Sequence, residues 1–189
     1  MYGDRMPTRP GFTLIRLLLL LCTGLLSSCA TEKAKLSHGI PNLREVAPGI
    51  WRGGQPNAEG WQYLKSLQVK TVVKLNTGVD PPGDTSGMNV VCVPIPLGQQ
   101  LFTGPRPGDL RRAVTTIQNS GPGVFIHCTH GEDRTGLVVA MYRCNVCGKP
   151  WDDAHEEMMQ CGFHPVLRGL KRAWKQIRPQ DRVKSAGSG

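Results

Sequence analysis

Acidic and aromatic side chains are the scarce residues of this chain. Fourteen Asp and Glu stand against 23 Lys and Arg, a formal net charge of +9, and Phe, Trp and Tyr together make up 6% of 189 residues. The shortage of acid favours anionic ligands or an anionic lipid surface, although net charge governs association and not chemistry. The shortage of aromatics leaves no basic stripe interleaved with stacking rings. With zinc-finger spacing also missing, nucleic acid is not an expected partner. There is no internal repeat and no long low-complexity block, and a 39% hydrophobic fraction in a chain of this length supplies one core rather than two. The apolar run over residues 17–26 is too short to span a bilayer as a helix.

Arg5, Arg9 and Arg16 precede that run and small residues follow it, which is the order of an export signal over residues 1–28. Its end, Leu26-Ser27-Ser28-Cys29, resembles the lipobox of bacterial lipoproteins. The resemblance implies that Cys29 becomes a lipidated first residue, making the protein an exported, membrane-anchored lipoprotein on the periplasmic or cell-surface side. An ordinary secretory signal, with no lipid on Cys29, is the alternative. Without residues 1–28 the chain keeps 20 Lys and Arg against 13 Asp and Glu, net +7. Residues 29–41 read as a polar tether, residues 42–180 as the domain, and residues 181–189 as a flexible tail.

Export also frames the cysteines. Cys92, Cys128, Cys144, Cys147 and Cys161 remain once Cys22 and Cys29 are set aside. An odd number fits one reactive thiol plus up to two pairs, whose identity spacing alone does not give.

Hydrophobic period and turn residues divide the domain. Residues 46–51 predict a short strand, and Asn57 caps a helix over 59–67 with Trp61, Leu64 and Leu67 as its apolar stripe. Residues 70–75, 89–93 and 124–126 are β-branched runs that predict strands, with a helix over 109–117 between the last two. A buried helix over 136–143 follows, then one with Asp153 as N-cap and Glu156 completing a capping box. The last carries Leu167, Leu170, Trp174 and Ile177 on one face and cations around the rest. That face either packs on the domain or lies on a membrane. Strands alternating with helices predict an α/β fold with a central, largely parallel sheet flanked by helices.

Between the strand ending at Ile126 and the helix beginning at Gly136 runs His127-Cys128-Thr129-His130-Gly131-Glu132-Asp133-Arg134-Thr135-Gly136. A tight loop at a helix N-terminus converges its backbone N–H groups into an anion nest with a favourable dipole. Thr129, His130, Gly131, Glu132 and Gly136 would line it. The same field favours the thiolate of Cys128, the nucleophilic form. Arg134, six residues on, returns across the loop to grip two phosphate oxygens with its planar fork, which Lys does not reproduce.

Cys128 to Arg134 resembles the CX5R signature of the protein tyrosine and dual-specificity phosphatases, in the extended form HCxxGxxRTG. Val46-Ala47-Pro48-Gly49-Ile50-Trp51-Arg52-Gly53-Gly54-Gln55-Pro56 and the run 70–75 are similar to the amino-terminal half of small bacterial members. The resemblance covers most of residues 42–178. It implies a phosphatase-like sheet and a two-step reaction through a cysteinyl phosphate, without metal or other cofactor. It also implies that His127 braces the loop and that Thr135 donates to the departing sulfur.

The general acid is the point of departure. Many members carry an aspartate on a separate upstream loop, and residues 95–107 contain none. Asp133 inside the loop, where some relatives place their acid, is favoured over Asp109, which has a structural reason to begin a helix. The loop offers Thr129, His130 and Glu132 where inositol- and lipid-directed relatives commonly place Lys, so its floor is not strongly basic. Phosphotyrosine-type esters are therefore the first substrate reading. Inositol polyphosphates (phytase-like) or phospholipid phosphates are the alternative, and an inactive module that binds phosphorylated ligands is the third.

Cys144-x-x-Cys147 with Cys161 and His164 has ligand spacing for zinc. Small buried thiols or a Cys147–Cys161 disulfide are preferred for helix-end positions. A protective Cys92–Cys128 disulfide is a further possibility. Arg52 and Gln55 either line the cleft or fix a turn.

Overall fold

The computed structural model of the chain describes residues 36–79 and 85–177, all in the compact unit that begins at Ala34. The export signal, Cys29, residues 31–35 of the expected tether and the tail lie outside the described residues.

The folded part begins earlier than the sequence suggests. Strands β1 (Leu36–Ser37) and β2 (Ile40–Pro41) pair antiparallel across His38 and Gly39, at φ 49° and 70°. A two-residue hairpin turn of this kind needs positive φ at both central positions. Ile40 is fully buried beside Trp61, so residues 36–41 are a folded hairpin anchored to the core through Ile40 and not a tether.

The expected single strand over 46–51 is instead a hairpin. β3 (Arg44–Ala47) and β4 (Ile50–Gly53) pair antiparallel around Pro48 and Gly49, the latter at φ 72°. A proline without an N–H and a left-handed glycine break the strand at its middle. Helix α1 (Ala58–Ser66) follows, and the Asn57 side chain accepts from Gly60 N at 2.9 Å, as the cap requires. Then come β5 (Thr71–Lys74), β6 (Asn89–Cys92), a π-helical turn (Gln99–Thr103), α2 (Pro107–Ser120) and β7 (Val124–His127). Helices α3 (Asp133–Asn145), α4 (Trp151–Gln160) and α5 (Arg168–Ile177) complete the described chain.

The five-stranded sheet has the order β3-β4-β7-β5-β6. All its pairings are parallel except β3 with β4. β5 and β7 are buried at every position, as expected where both faces of a parallel sheet are covered. Val72 and Phe125 face α1, packing with Trp61 and Leu64. Val73, Val124 and Ile126 face the opposite side, against α2, α3, α4 and α5. Each fully buried Leu, Ile or Phe contributes about 1.5–3 kcal/mol by leaving water.

Helix α3 is buried continuously from Thr135 to Tyr142, so it is the central helix of that layer. It begins at Asp133, three residues before the expected start. Helix α4 also begins early: Pro150 occupies the cap position and Asp152 and Asp153 fall in the first turn. The expected capping box therefore does not form, and Glu156 accepts from Gln160 instead. The apolar face of α5 packs on the domain, with Leu170 and Trp174 buried in the core and Trp174 stacked on Trp151 at 3.8 Å.

The described cysteines are all free, so the Cys147–Cys161 disulfide is not formed. Among the described residues the metal-capable cluster is Glu132, Asp133 and His164, and the proposed zinc ligands Cys144, Cys147 and Cys161 are not gathered with it. Cys144 is pushed up to about 11 by burial, an inert thiol. Cys92, Lys74 and His127 lie in register across β6, β5 and β7. Two strand spacings, roughly 9–10 Å, separate Cys92 from the Cys128 end of β7. A disulfide tolerates about 7 Å between Cα atoms, so the Cys92–Cys128 bridge is excluded in this arrangement.

Candidate active site

Gly53, His127 and Lys74 lie in register on β4, β7 and β5, at the carboxyl edge of the parallel strands, where open α/β sheets bind ligands. Residues 128–132 form the loop above that edge, and α3 begins at Asp133. Cys128 is buried at the loop's start. His127 is fully buried, with its ring stacked on Phe125 at 5.4 Å, edge-on to Trp61 at 5.9 Å, and Nδ1 3.4 Å from the Cys128 carbonyl.

The loop is shaped from the strand side. Gly131 stands at φ 79°, where a Cβ would collide with the backbone of Gly53 and Gly54, so glycine is required both for conformation and for close approach. Gln55 N donates to the Thr129 carbonyl at 3.0 Å, and Arg52 Nη2 donates to the Gly131 carbonyl at 2.7 Å. With these carbonyls engaged by the exit of β4, the loop's N–H groups are left for an anion. Asn76 Nδ2 donates to Gln55 Oε1 at 3.1 Å, tying β5's exit to the same brace.

The predicted residues take distinct places. Arg134 turns back across the loop and donates from Nη2 to Thr129 Oγ1 at 2.8 Å. Thr135 is fully buried, and its hydroxyl donates to the Gly53 carbonyl at 3.4 Å. Thr129 and His130 are exposed. Gly136 allows Met158 and Arg52 to pack against the first turn of α3. Glu132 accepts from Asn42 at 3.4 Å.

Asp133 and Asp109 separate clearly. Asp133 Oδ1 accepts from His164 N at 2.7 Å, and the His164 ring Nδ1 lies 3.1 and 3.2 Å from its two oxygens. The connection between α4 and α5 thus orients this carboxylate beside the loop. Asp109 sits in the first turn of α2, the place of a helix-stabilising acid. The stretch 95–107 contains the π-helical turn, with Gln100 buried and its Nε2 donating to the Ile95 carbonyl at 3.2 Å.

At the exits of β5 and β6 an open cleft of about 480 Å³ is lined by Lys74, Asn76, Thr77, Val90 and Cys92 among others. Lys74 is buried. Sequence reasoning singled out Arg52 with two roles open, lining the cleft or fixing a turn, and missed Lys74, buried next to His127 on the neighbouring strand. The available signal was a lysine near the end of the β-branched run 70–75.

The family described as "DSP-PTPase phosphatase fused to NAD+ Kinase" matches residues 36–166. The chain belongs to this phosphatase family. Among its DSP-PTPase relatives, the dual specificity protein phosphatase TpbA of Pseudomonas aeruginosa (strain UCBPP-PA14) is 35% identical over 122 residues, 65% of this chain and 55% of that protein. The inositol diphosphatase DSP2 of Oryza sativa subsp. japonica is 31% identical over 108 residues, 54% of this chain and 53% of that protein. The chain spans about half the length of these curated relatives. The crystal structure of P. aeruginosa TpbA in complex with phosphotyrosine matches with a TM-score of 0.60 at 30% identity, covering 74% of this chain and 85% of that one. The α/β, largely parallel phosphatase fold and the cysteine-dependent phosphatase family expected from the loop both hold.

Proposed function

We propose that this DSP-PTPase hydrolyses phosphomonoesters through a cysteinyl-phosphate intermediate. The observation that carries the reading is the loop itself: Cys128 buried at its start, carbonyls tied to β4's exit, and Arg134 folded back over Thr129. The Cys128 thiolate attacks phosphorus, an S–P bond forms and the P–O bond to the leaving group breaks. Arg134 and the loop N–H groups hold the equatorial oxygens as charge shifts. The leaving oxygen takes a proton from Asp133, in its protonated form, the carboxyl that His164 orients next to the loop. Water then attacks phosphorus, giving a proton back to the Asp133 carboxylate as the P–S bond breaks, and thiolate and inorganic phosphate are released.

Phosphotyrosine-type esters are the first substrate reading, supported by the TpbA relative and its phosphotyrosine complex. Inositol diphosphates or related polyphosphates are the second, favoured by the inositol diphosphatase relative and by buried Lys74, which lies in register with His127 and lines the cleft at the exits of β5 and β6. A panel of aryl phosphate, phosphotyrosine peptide, inositol pyrophosphate and phospholipid phosphate, with Cys128→Ser as control, tests both. Turnover falls by at least about 10⁴-fold in Cys128→Ser, and turnover retained in that variant sinks the nucleophile assignment. No turnover of any ester by the unaltered chain leaves only a phosphate-binding module.

The same proposal places the protein outside the cytoplasm, anchored to membrane by lipid on Cys29, on the strength of residues 1–29. Acyl-chain labelling and membrane fractionation, lost in Cys29→Ala, are the expected results. Unlabelled chain recovered in the soluble fraction overturns the anchor.

A further inference from the structure

Arg52 is the residue that the reaction just described does not use and the fold does not otherwise explain. Along β4, Ile50 joins the core beneath α2 and α3, while Trp51 packs on the α1 side. Alternation sends Arg52 to the α3 side, where a cation enters an otherwise apolar layer. It is 1% exposed. Its guanidinium lies against Gly136, in the first turn of α3, at ordinary contact distance. Nη2 holds the Gly131 carbonyl at 2.7 Å, whereas Nε and Nη1 are buried without a hydrogen-bond partner.

No carboxylate among the described residues neutralises it. Glu157 attracts it, but that carboxylate is bound by Arg143 and Lys149. Arg44, opposite on β3, repels it. Burial lowers Arg52 from its ordinary value, opposed by electrostatic attraction toward Cys161, Cys128 and Glu157. A guanidinium nonetheless remains charged in proteins. An unpaired buried cation is strongly unfavourable, unless an anion completes it. Of the groups that attract it, Cys161 and Glu157 lie outside the loop and Cys128 begins it, where the thiolate and the bound phosphoryl group are the anions of the reaction.

We infer that Arg52 is a positioning residue that acts from beneath the phosphate loop, holding the Gly131 carbonyl outward and supplying a buried counter-charge to the bound anion. It rests on the phosphatase reading and adds a second fixed cation to the one Arg134 provides from the other side. The loop's own composition, Thr129, His130 and Glu132, gives no sign of it.

Calorimetric titration of inorganic phosphate into the full chain, the Arg52→Gln variant and the Arg52→Lys variant tests this without turnover. Gln retains a donor for the Gly131 carbonyl and loses the charge, while Lys retains the charge. The expected result is phosphate binding weakened at least about tenfold in Arg52→Gln and restored to within about threefold in Arg52→Lys. Unchanged binding in folded Arg52→Gln, or equal weakening in both variants, overturns the counter-charge. If circular dichroism shows Arg52→Gln unfolded, Arg52→Lys decides: binding within threefold of the unaltered chain supports the proposal and a tenfold loss overturns it. An unaltered chain that binds no phosphate rejects the phosphatase reading itself, and this proposal with it.

Discussion

The phosphate loop has two unlike sides. Toward β4 it meets Arg52, Gly53, Gly54 and Gln55, where glycine backbones touch and the Thr129 and Gly131 carbonyls are bonded. Toward α4 it meets a half-open rim of Glu132, Asp133 and His164, with the His164 side chain 58% exposed. The first side has no freedom, so it determines geometry. The second has solvent and movable side chains, so it suits proton transfer and choice of substrate.

The sharpest way to break the comparison is Gly131→Ala on the strand side. A Cβ there meets the backbone of Gly53 and Gly54 in a left-handed conformation, so a loss of about 2–4 kcal/mol in denaturant stability is expected. Activity should fall with it, and wild-type stability in this variant would show that the packed side yields. Arg134→Lys comes next. Loss of the planar fork that reaches Thr129 should cost about 10²–10³-fold in kcat with the fold intact by circular dichroism.

Changes at the rim should be milder and dependent on the leaving group. Asp133→Asn is expected to slow esters of poor leaving groups about 10–100-fold and to spare activated aryl phosphates. His164→Ala should show the same pattern more weakly, because it orients the carboxylate through its ring while the backbone bond remains. Equal losses on both substrate classes would reassign Asp133 to loop structure.

The smallest effect lies away from the loop, where Arg143 of α3 and Lys149 clasp Glu157 of α4 at 3.2 and 2.5 Å. Burial by itself raises this carboxyl, but hydrogen bonding from Lys149 and the charge and hydrogen bonds of Arg143 outweigh it, so Glu157 lies below its ordinary value of 4.5. Its stabilisation is therefore fully present above about pH 4.5 and is lost as pH falls through the depressed folded value. Urea midpoints for Glu157→Gln and the unaltered chain should differ slightly near neutrality and converge in acid, with activity at pH 7 changed less than about twofold.

Much of the fold was legible because its signals are local. Asn57 caps α1 where its spacing placed it, and the β-branched runs became β5, β6 and β7. The misreadings also have local causes that a period count does not weigh. Pro48 and Gly49 split one apparent strand into β3 and β4, Pro150 moved the start of α4, and His38-Gly39 turned an apparent tether into a hairpin.

By itself, the sequence determined the chemistry: a cysteine and an arginine six residues apart, between a strand and a helix, specify a phosphate loop because adjacent residues build it. Only the tertiary structure decided what surrounds that loop. Arg52 and Gln55 come from 73 or more positions before Cys128, His164 from the far side of α4, and Lys74 from β5. Buried charge and close backbone approach are properties of space between elements, and no spacing along the chain encodes them.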